Sequence, residues 1–147
     1  SAASDVYKRQ RVCAVSNKIH YNEMNVLSMH ALIGAYQPQG YEWVDELNRV
    51  LAGNIEYFCD YVDEHFEGVS YSRPQGTYMV FLDCTEWCRE HGRDIQWLLD
   101  EGARVGVGYQ DGRPFHGPCH IRVNLALPLS RVKEACDRLD RYVFNAR

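Results

Sequence analysis

Between residues 44 and 66 the apolar side chains Val44, Leu47, Leu51, Ile55, Phe58, Val62 and Phe66 recur every three or four positions without a miss. Asp45, Glu46, Asn48, Arg49, Glu56, Asp60 and Asp63 fill the other side. That period predicts a long amphipathic helix with one buried stripe. A helix of this length can bridge two domains, and residues 41–67 are assigned as an interdomain helix. Gly53 inside it costs about 1 kcal/mol against alanine, which predicts close packing or a bend at that point.

The rest of the chain is arranged around this helix. Before it, Val26, Met29, Ile33 and Tyr36 predict a helix over Asn22–Tyr36, and Gln37-Pro-Gln-Gly40 predicts a break. Ser1–Gln10 has no apolar period and no initiator methionine. It is expected to be a non-native remnant that adds nothing to the fold. After the long helix, Gly68 is a stop and Val69–Tyr71 a short strand. Thr77–Asp83 is a nearly continuous apolar run, which predicts a strand covered on both faces. Glu86–His91 predicts one irregular helical turn. Asp94 is a candidate N-cap for a helix over Ile95–Glu101, with Gly102 as its stop. Arg104–Val107 is a strand candidate, and the glycines and prolines of Gly108–Pro118 predict a loop. Pro128 closes the next strand, Ser130 can cap, and Val132, Cys136, Leu139 and Val143 predict a final helix. Strands and helices in this order predict a small α/β layer, a sheet with helices packed on it.

That next strand, His120–Pro128, carries the candidate site. Ile121, Val123 and Leu125 fall on one side and should face the core; Arg122, Asn124 and Ala126 fall on the other. Arginine grips a carboxylate through two parallel hydrogen bonds. Arg122 is therefore the candidate for holding the carboxylate of a small substrate. Gly112, Gly117 and the neighbouring prolines let backbone approach a ligand, and binding residues concentrate on such loops.

Charge and cysteine usage narrow the partners. A net charge of −4 makes no electrostatic case for nucleic acid, and no apolar run is long enough to cross a bilayer. Six scattered cysteines predict reduced thiols of a cytoplasmic protein rather than a disulfide framework.

An ordered set of motifs carries a family resemblance over roughly residues 12–146. Thr77-Tyr78 follows Pro74-Gln-Gly76; a glycine-rich loop with Phe115-His-Gly117 precedes Ile121-Arg-Val-Asn-Leu-Ala-Leu-Pro128. This resembles the C-terminal part of fold-type I pyridoxal-phosphate enzymes, the class I/II aminotransferase superfamily. Ala35-Tyr36, Gly40-Tyr-Glu-Trp43-Val-Asp-Glu-Leu47 and Asn54 are similar to its MalY/PatB-type cystathionine β-lyase branch. The resemblance implies a fold: residues 11–40 from a large cofactor-binding domain, the interdomain helix, and 68–147 as a C-terminal small domain, a small mixed sheet with helices on it. It implies pyridoxal 5'-phosphate as cofactor in a longer, homodimeric parent. It also implies that Arg122 binds the α-carboxylate of an amino-acid substrate, so that the Cα–H stands perpendicular to the cofactor ring. In the lyase branch a thiolate leaves from Cβ, giving pyruvate, ammonia and a thiol; the alternative is an aminotransferase proper.

The family's Schiff-base lysine has no counterpart here. Lys8 lies in the remnant, Lys133 on the outer side of the last helix, and Lys18 far too close to Tyr36. The catalytic and cofactor-binding residues are therefore expected outside this fragment, which should be inactive alone. Cys84, Cys88, His91, His116, Cys119 and His120 could gather around zinc, but their spacing is that of no common finger, and no metal site is assigned. Cys84 and Cys88 are expected to pack at a helix start, Tyr78 in the core, and His116 against backbone. A stand-alone, non-enzymatic α/β ligand-binding module is the competing reading, since residues 69–146 could close a layer by themselves.

Overall fold

The computed structural model describes residues 2–19 and 24–146. The chain divides into two compact units, Ser1–Val44 and Asp45–Arg147, with the boundary inside a long helix. The first unit holds α1 (Ala2–Lys18), α2 (Val26–Ala35) and the first turns of α3 (Pro38–His65). Helix α1 begins within the stretch where no element was expected. Asn25 caps α2, its side-chain oxygen accepting from the Ser28 amide at 2.8 Å; positions 22 and 23 of the expected helix lie outside the described residues. None of the residues of α2 is buried, and Val26, Met29, Ile33 and Tyr36 are all exposed. The expected break narrows to Tyr36–Gln37, because Pro38 opens α3. A proline in the first turn loses no helical hydrogen bond.

The second unit holds the rest of α3 and a four-stranded sheet. Its strands are β1 (Ser70–Tyr71), β2 (Met79–Asp83), β3 (Gln110–Asp111) and β4 (His120–Asn124), in the order β1-β2-β4-β3. Every pairing is antiparallel, which corrects the expected mixed sheet. Connection length accounts for two of the three pairings: β1–β2 and β3–β4 are joined by segments too short for a parallel crossover. Helices α4 (Thr85–His91), α5 (Ile95–Arg104) and α6 (Leu129–Leu139) complete the layer, and a π-helical turn over Asp140–Phe144 ends it.

One face of the sheet is covered. Val80, Leu82, Ile121, Val123 and Leu125 share a core with Phe58 and Val62 of α3, Leu98 of α5, and Val132, Cys136 and Leu139 of α6. Burying each such side chain contributes about 1.5–3 kcal/mol. Strand β2 alternates between buried and half-buried positions, so it is covered on one face, not two. In α3 only the C-terminal half is buried, through Asn54, Phe58, Cys59 and Val62. A Cβ built on Gly53 meets nothing within 4 Å, so the expected close packing there is absent.

The third strand is displaced from its expected place. Arg104 ends α5, Val105 caps it, and the strand forms at Gln110–Asp111. Gly102 does not stop the helix: it is buried within it, against the Tyr109 ring. The Tyr109 hydroxyl donates to the Leu98 carbonyl. That packing outweighs the weak helix propensity of a glycine. Asp94 caps α5 as expected, accepting from the Trp97 amide at 2.8 Å. Pro128 rather than Ser130 precedes α6, and Ser130 lies inside the helix.

Candidate functional site

The other face of the sheet is open, and Arg122 stands near its middle. Its register partners are Phe81 on β2 and Gln110 on β3. Met79, Phe81, Asp83, His120 and Arg122 are all half-buried there and Asn124 is exposed. The alternation of β4 separates this row from the buried Ile121 and Val123.

A short loop builds the wall beside Arg122. Asp111 accepts from the Arg113 amide at 2.9 Å and pairs with its guanidinium at 2.7 Å. This starts a 3-10 turn over Arg113–Phe115 that presents the Phe115 ring. The Arg122 guanidinium carbon lies 4.6 Å from that ring's centroid. Stacking on an aromatic face fixes the plane of a guanidinium and leaves its edge N–H groups free. Among the described residues no carboxylate pairs with Arg122. A half-buried cation over an aromatic ring, with no carboxylate partner among the described residues, can receive an external carboxylate bidentately.

The loop sits close enough that glycine is required. A Cβ on Gly117 would lie 2.5 Å from Phe81 Cζ and 2.7 Å from His120 Cβ. A Cβ on Gly112 would lie 2.5 Å from the His120 carbonyl oxygen. Gly117→Ala is expected to destabilise the second unit by about 1–3 kcal/mol through overpacking, read as a lower urea midpoint. An unchanged midpoint would mean the two rings yield freely.

His120 and Asp83 extend the row. The rings of Phe81 and His120 are 4.6 Å apart, and His120 Nε2 lies 3.8 Å from Asp83 Oδ2. Burial tends to raise the Asp83 carboxyl, but the Thr85 hydroxyl and amide and nearby His120 outweigh it and hold it below its ordinary value. His120 Nδ1 is buried and finds no hydrogen-bond partner among the described residues. Sequence reasoning considered His120 only as a metal ligand; period two along β4 could have placed it beside Arg122.

The remaining candidates fall elsewhere. Tyr78 is exposed, not in the core, and lines a trough with Leu51, Ile55, Arg73 and Thr77. Cys84 and Cys88 are buried at the start of α4, as expected. His91 stacks on Trp87, its Nδ1 2.9 Å from the Trp87 carbonyl, and His116 is an exposed loop residue with φ of 62°. Among the described residues no group of three His, Cys, Asp or Glu side chains is placed to hold a metal ion. Lys133, the one lysine in the second unit, lies over the Tyr57 ring on the helical side of the sheet. Among the described residues the open face of that unit carries the Arg122 guanidinium and no lysine. Among the described residues no helix is long and apolar enough to cross a membrane.

No protein-family model matches the chain. A curated relative from Mycobacterium leprae, named "Putative cystathionine beta-lyase", is 34% identical over 124 residues, covering 74% of this chain and 30% of the relative. The chain thus spans about a third of the length of the curated relatives it matches. Among solved structures, the pyridoxal-phosphate-bound C-S lyase from Staphylococcus hominis superposes with a TM-score of 0.73 at 23% identity, over 86% of this chain and 33% of that one. A tetra mutant of aspartate aminotransferase from Thermus thermophilus gives 0.73 at 17% identity, over 88% and 34%. Likenesses at these identities establish the fold.

Proposed function

Since the chain belongs to the fold-type I pyridoxal-phosphate enzymes, we propose that it is the C-terminal part of a carbon–sulfur β-lyase acting on amino acids. The observation that carries this reading is Arg122, stacked on Phe115 and unpaired with any carboxylate among the described residues. In the proposal residues 11–40 belong to a large cofactor-binding domain, 41–67 bridge to the small domain, and 68–147 form it. The whole protein is a cytoplasmic homodimer that carries pyridoxal 5'-phosphate on residues outside this chain.

When bound, pyridoxal phosphate supplies an electron-withdrawing ring for the charge that develops at the substrate's Cα. This chain's residues bind and orient. Arg122 donates two N–H groups to the α-carboxylate, and Phe115 holds the guanidinium plane, so the Cα–H bond is fixed in direction. The 112–117 loop, packed on Phe81 and His120, keeps Phe115 in place.

The whole protein is expected to release pyruvate, ammonia and a thiol from cystathionine or another S-substituted cysteine. The 147-residue chain alone is expected to retain no pyridoxal phosphate after borohydride reduction. Intact-mass analysis checks the second point; a mass gain that Lys18→Ala abolishes would overturn the placement of the attachment lysine elsewhere. Amino transfer to a keto acid without thiol release would favour the aminotransferase reading, which the likeness to an aminotransferase fold supports.

A further inference from the structure

The covered side of the sheet is not sealed along its whole length. Where the chain leaves β4 for α6, a cleft of about 350 Å³ opens between α6 and the 106–108 segment that follows α5. It lies wholly within the second unit. Phe58 of α3, Val123 of β4, Leu125 just beyond it, and Val132 and Leu139 of α6 give it an apolar lining. Small residues keep it open: Gly106 and Gly108 bring no side chain from one wall, and Ala135 brings only a methyl group from the other. The charged residues of the lining are Arg131, Glu134 and Arg138, three and four positions apart on one side of α6. Glu134 accepts from Arg131 at 2.8 Å and from Arg138 at 2.5 Å, and Arg138 also donates to the Val105 carbonyl at 3.0 Å. Asp137, the next acid on α6, instead accepts from the Tyr61 hydroxyl of α3 at 3.3 Å. Two guanidiniums against one carboxylate leave the cleft with an excess of positive charge.

We infer that this cleft is a second ligand site, for an apolar monocarboxylate with a short tail, a medium-chain fatty acid. Charge selects the head group: an anion balances the excess guanidinium, and a carboxylate matches the fork of Arg131. Arg131 is the exposed member of the trio, and among the described residues its side chain pairs with Glu134 alone. The lining selects the tail, since Phe58, Val123 and Leu139 offer it carbon and no buried polar group to satisfy. Volume selects the tail's length: 350 Å³ is near the lower end for small-molecule sites, too little for a long acyl chain. The site is separate from the Arg122 face, because Val123 and Leu125 fall on the opposite side of the strand. It does not depend on the β-lyase reading.

Titration calorimetry of the whole protein with octanoate, 1-octanol and octylamine tests this. The expected result is one octanoate per chain, with the alcohol about threefold weaker and the amine about tenfold weaker, as an exposed ion pair gained, lost or reversed requires. Ala135→Leu keeps a good helix former on α6 and sets a larger side chain between Arg131 and Arg138. It should weaken octanoate about tenfold without lowering the urea midpoint. Arg131→Gln removes the excess charge and should bring acid and alcohol within about twofold of each other. Because Arg131 is exposed, that variant decides the matter even where Ala135→Leu is unstable. No octanoate binding to the whole protein, undiminished binding to a folded Ala135→Leu, or a preference for acid over alcohol that Arg131→Gln leaves intact would each overturn the inference. So would binding to the 147-residue chain but not to the whole protein, since another part of the parent would then fill the cleft.

Discussion

Replacing Arg122 with alanine in the whole protein is expected to raise KM for amino-acid substrates by about 30-fold to a few thousand-fold. That range corresponds to the roughly 2–5 kcal/mol lost when one member of a hydrogen-bonded charge pair is removed. Affinity for pyridoxal phosphate should be unchanged, because Arg122 is assigned to the substrate and no cofactor contact is assigned to it. Arg122→Lys should recover only part of the loss. An ammonium supplies the charge but neither the planar fork nor the stack on Phe115, 4.6 Å from the guanidinium carbon. Steady-state kinetics of the three proteins, with cofactor affinity measured separately, check this. A drop in cofactor affinity matching the rise in KM would move Arg122 to the cofactor.

The second large effect is structural. Asn54 is 1% exposed, and its side-chain amide donates to the Leu125 carbonyl at 2.9 Å and to the Leu127 carbonyl at 2.7 Å. Those carbonyls follow β4 directly, where the chain leaves the sheet for α6, and one amide satisfies both. Asn54→Ala removes both donors and opens a small void. With about 1–3 kcal/mol for the buried Leu125 acceptor left unpaired, and less for the part-buried Leu127 acceptor, which water can reach, the chain should lose about 2–4 kcal/mol, measured by urea denaturation. Asn54→Asp keeps the shape but sets an acceptor against two acceptors, and should be no milder. A loss under about 1 kcal/mol in both variants would show that water replaces the amide at no cost, and that the end of β4 is held by packing alone.

The parts of this fold that can be read along the chain are those governed by local period. The alternation of Ile121, Val123 and Leu125 with Arg122 named the buried face and the open one, and all three apolar residues are buried. The stripe of Phe58 and Val62 named the packed side of α3, and Asp94 named the start of α5. What failed was decided at a distance. Gly102 reads locally as a helix stop, yet Tyr109 packs over it and α5 continues. Val44 continues the apolar period of α3 but is exposed, since period says which side is apolar and not what covers it. At the site, Arg122 was legible from its strand. Phe115 was visible only as a loop residue, because its stack on Arg122 depends on the backbone path through Gly112 and Gly117.

The most direct test of the carboxylate grip compares an amino-acid inhibitor with its own carboxamide, in the whole protein with Arg122 and with Arg122→Ala. The two ligands differ only in the group that the guanidinium is assigned to hold. With Arg122 present the acid should bind far more tightly than the amide, and with alanine there the two should bind within about threefold of each other, a difference below ~1 kcal/mol. An acid-to-amide preference that survives the substitution undiminished would contradict the assignment and place the carboxylate on another residue.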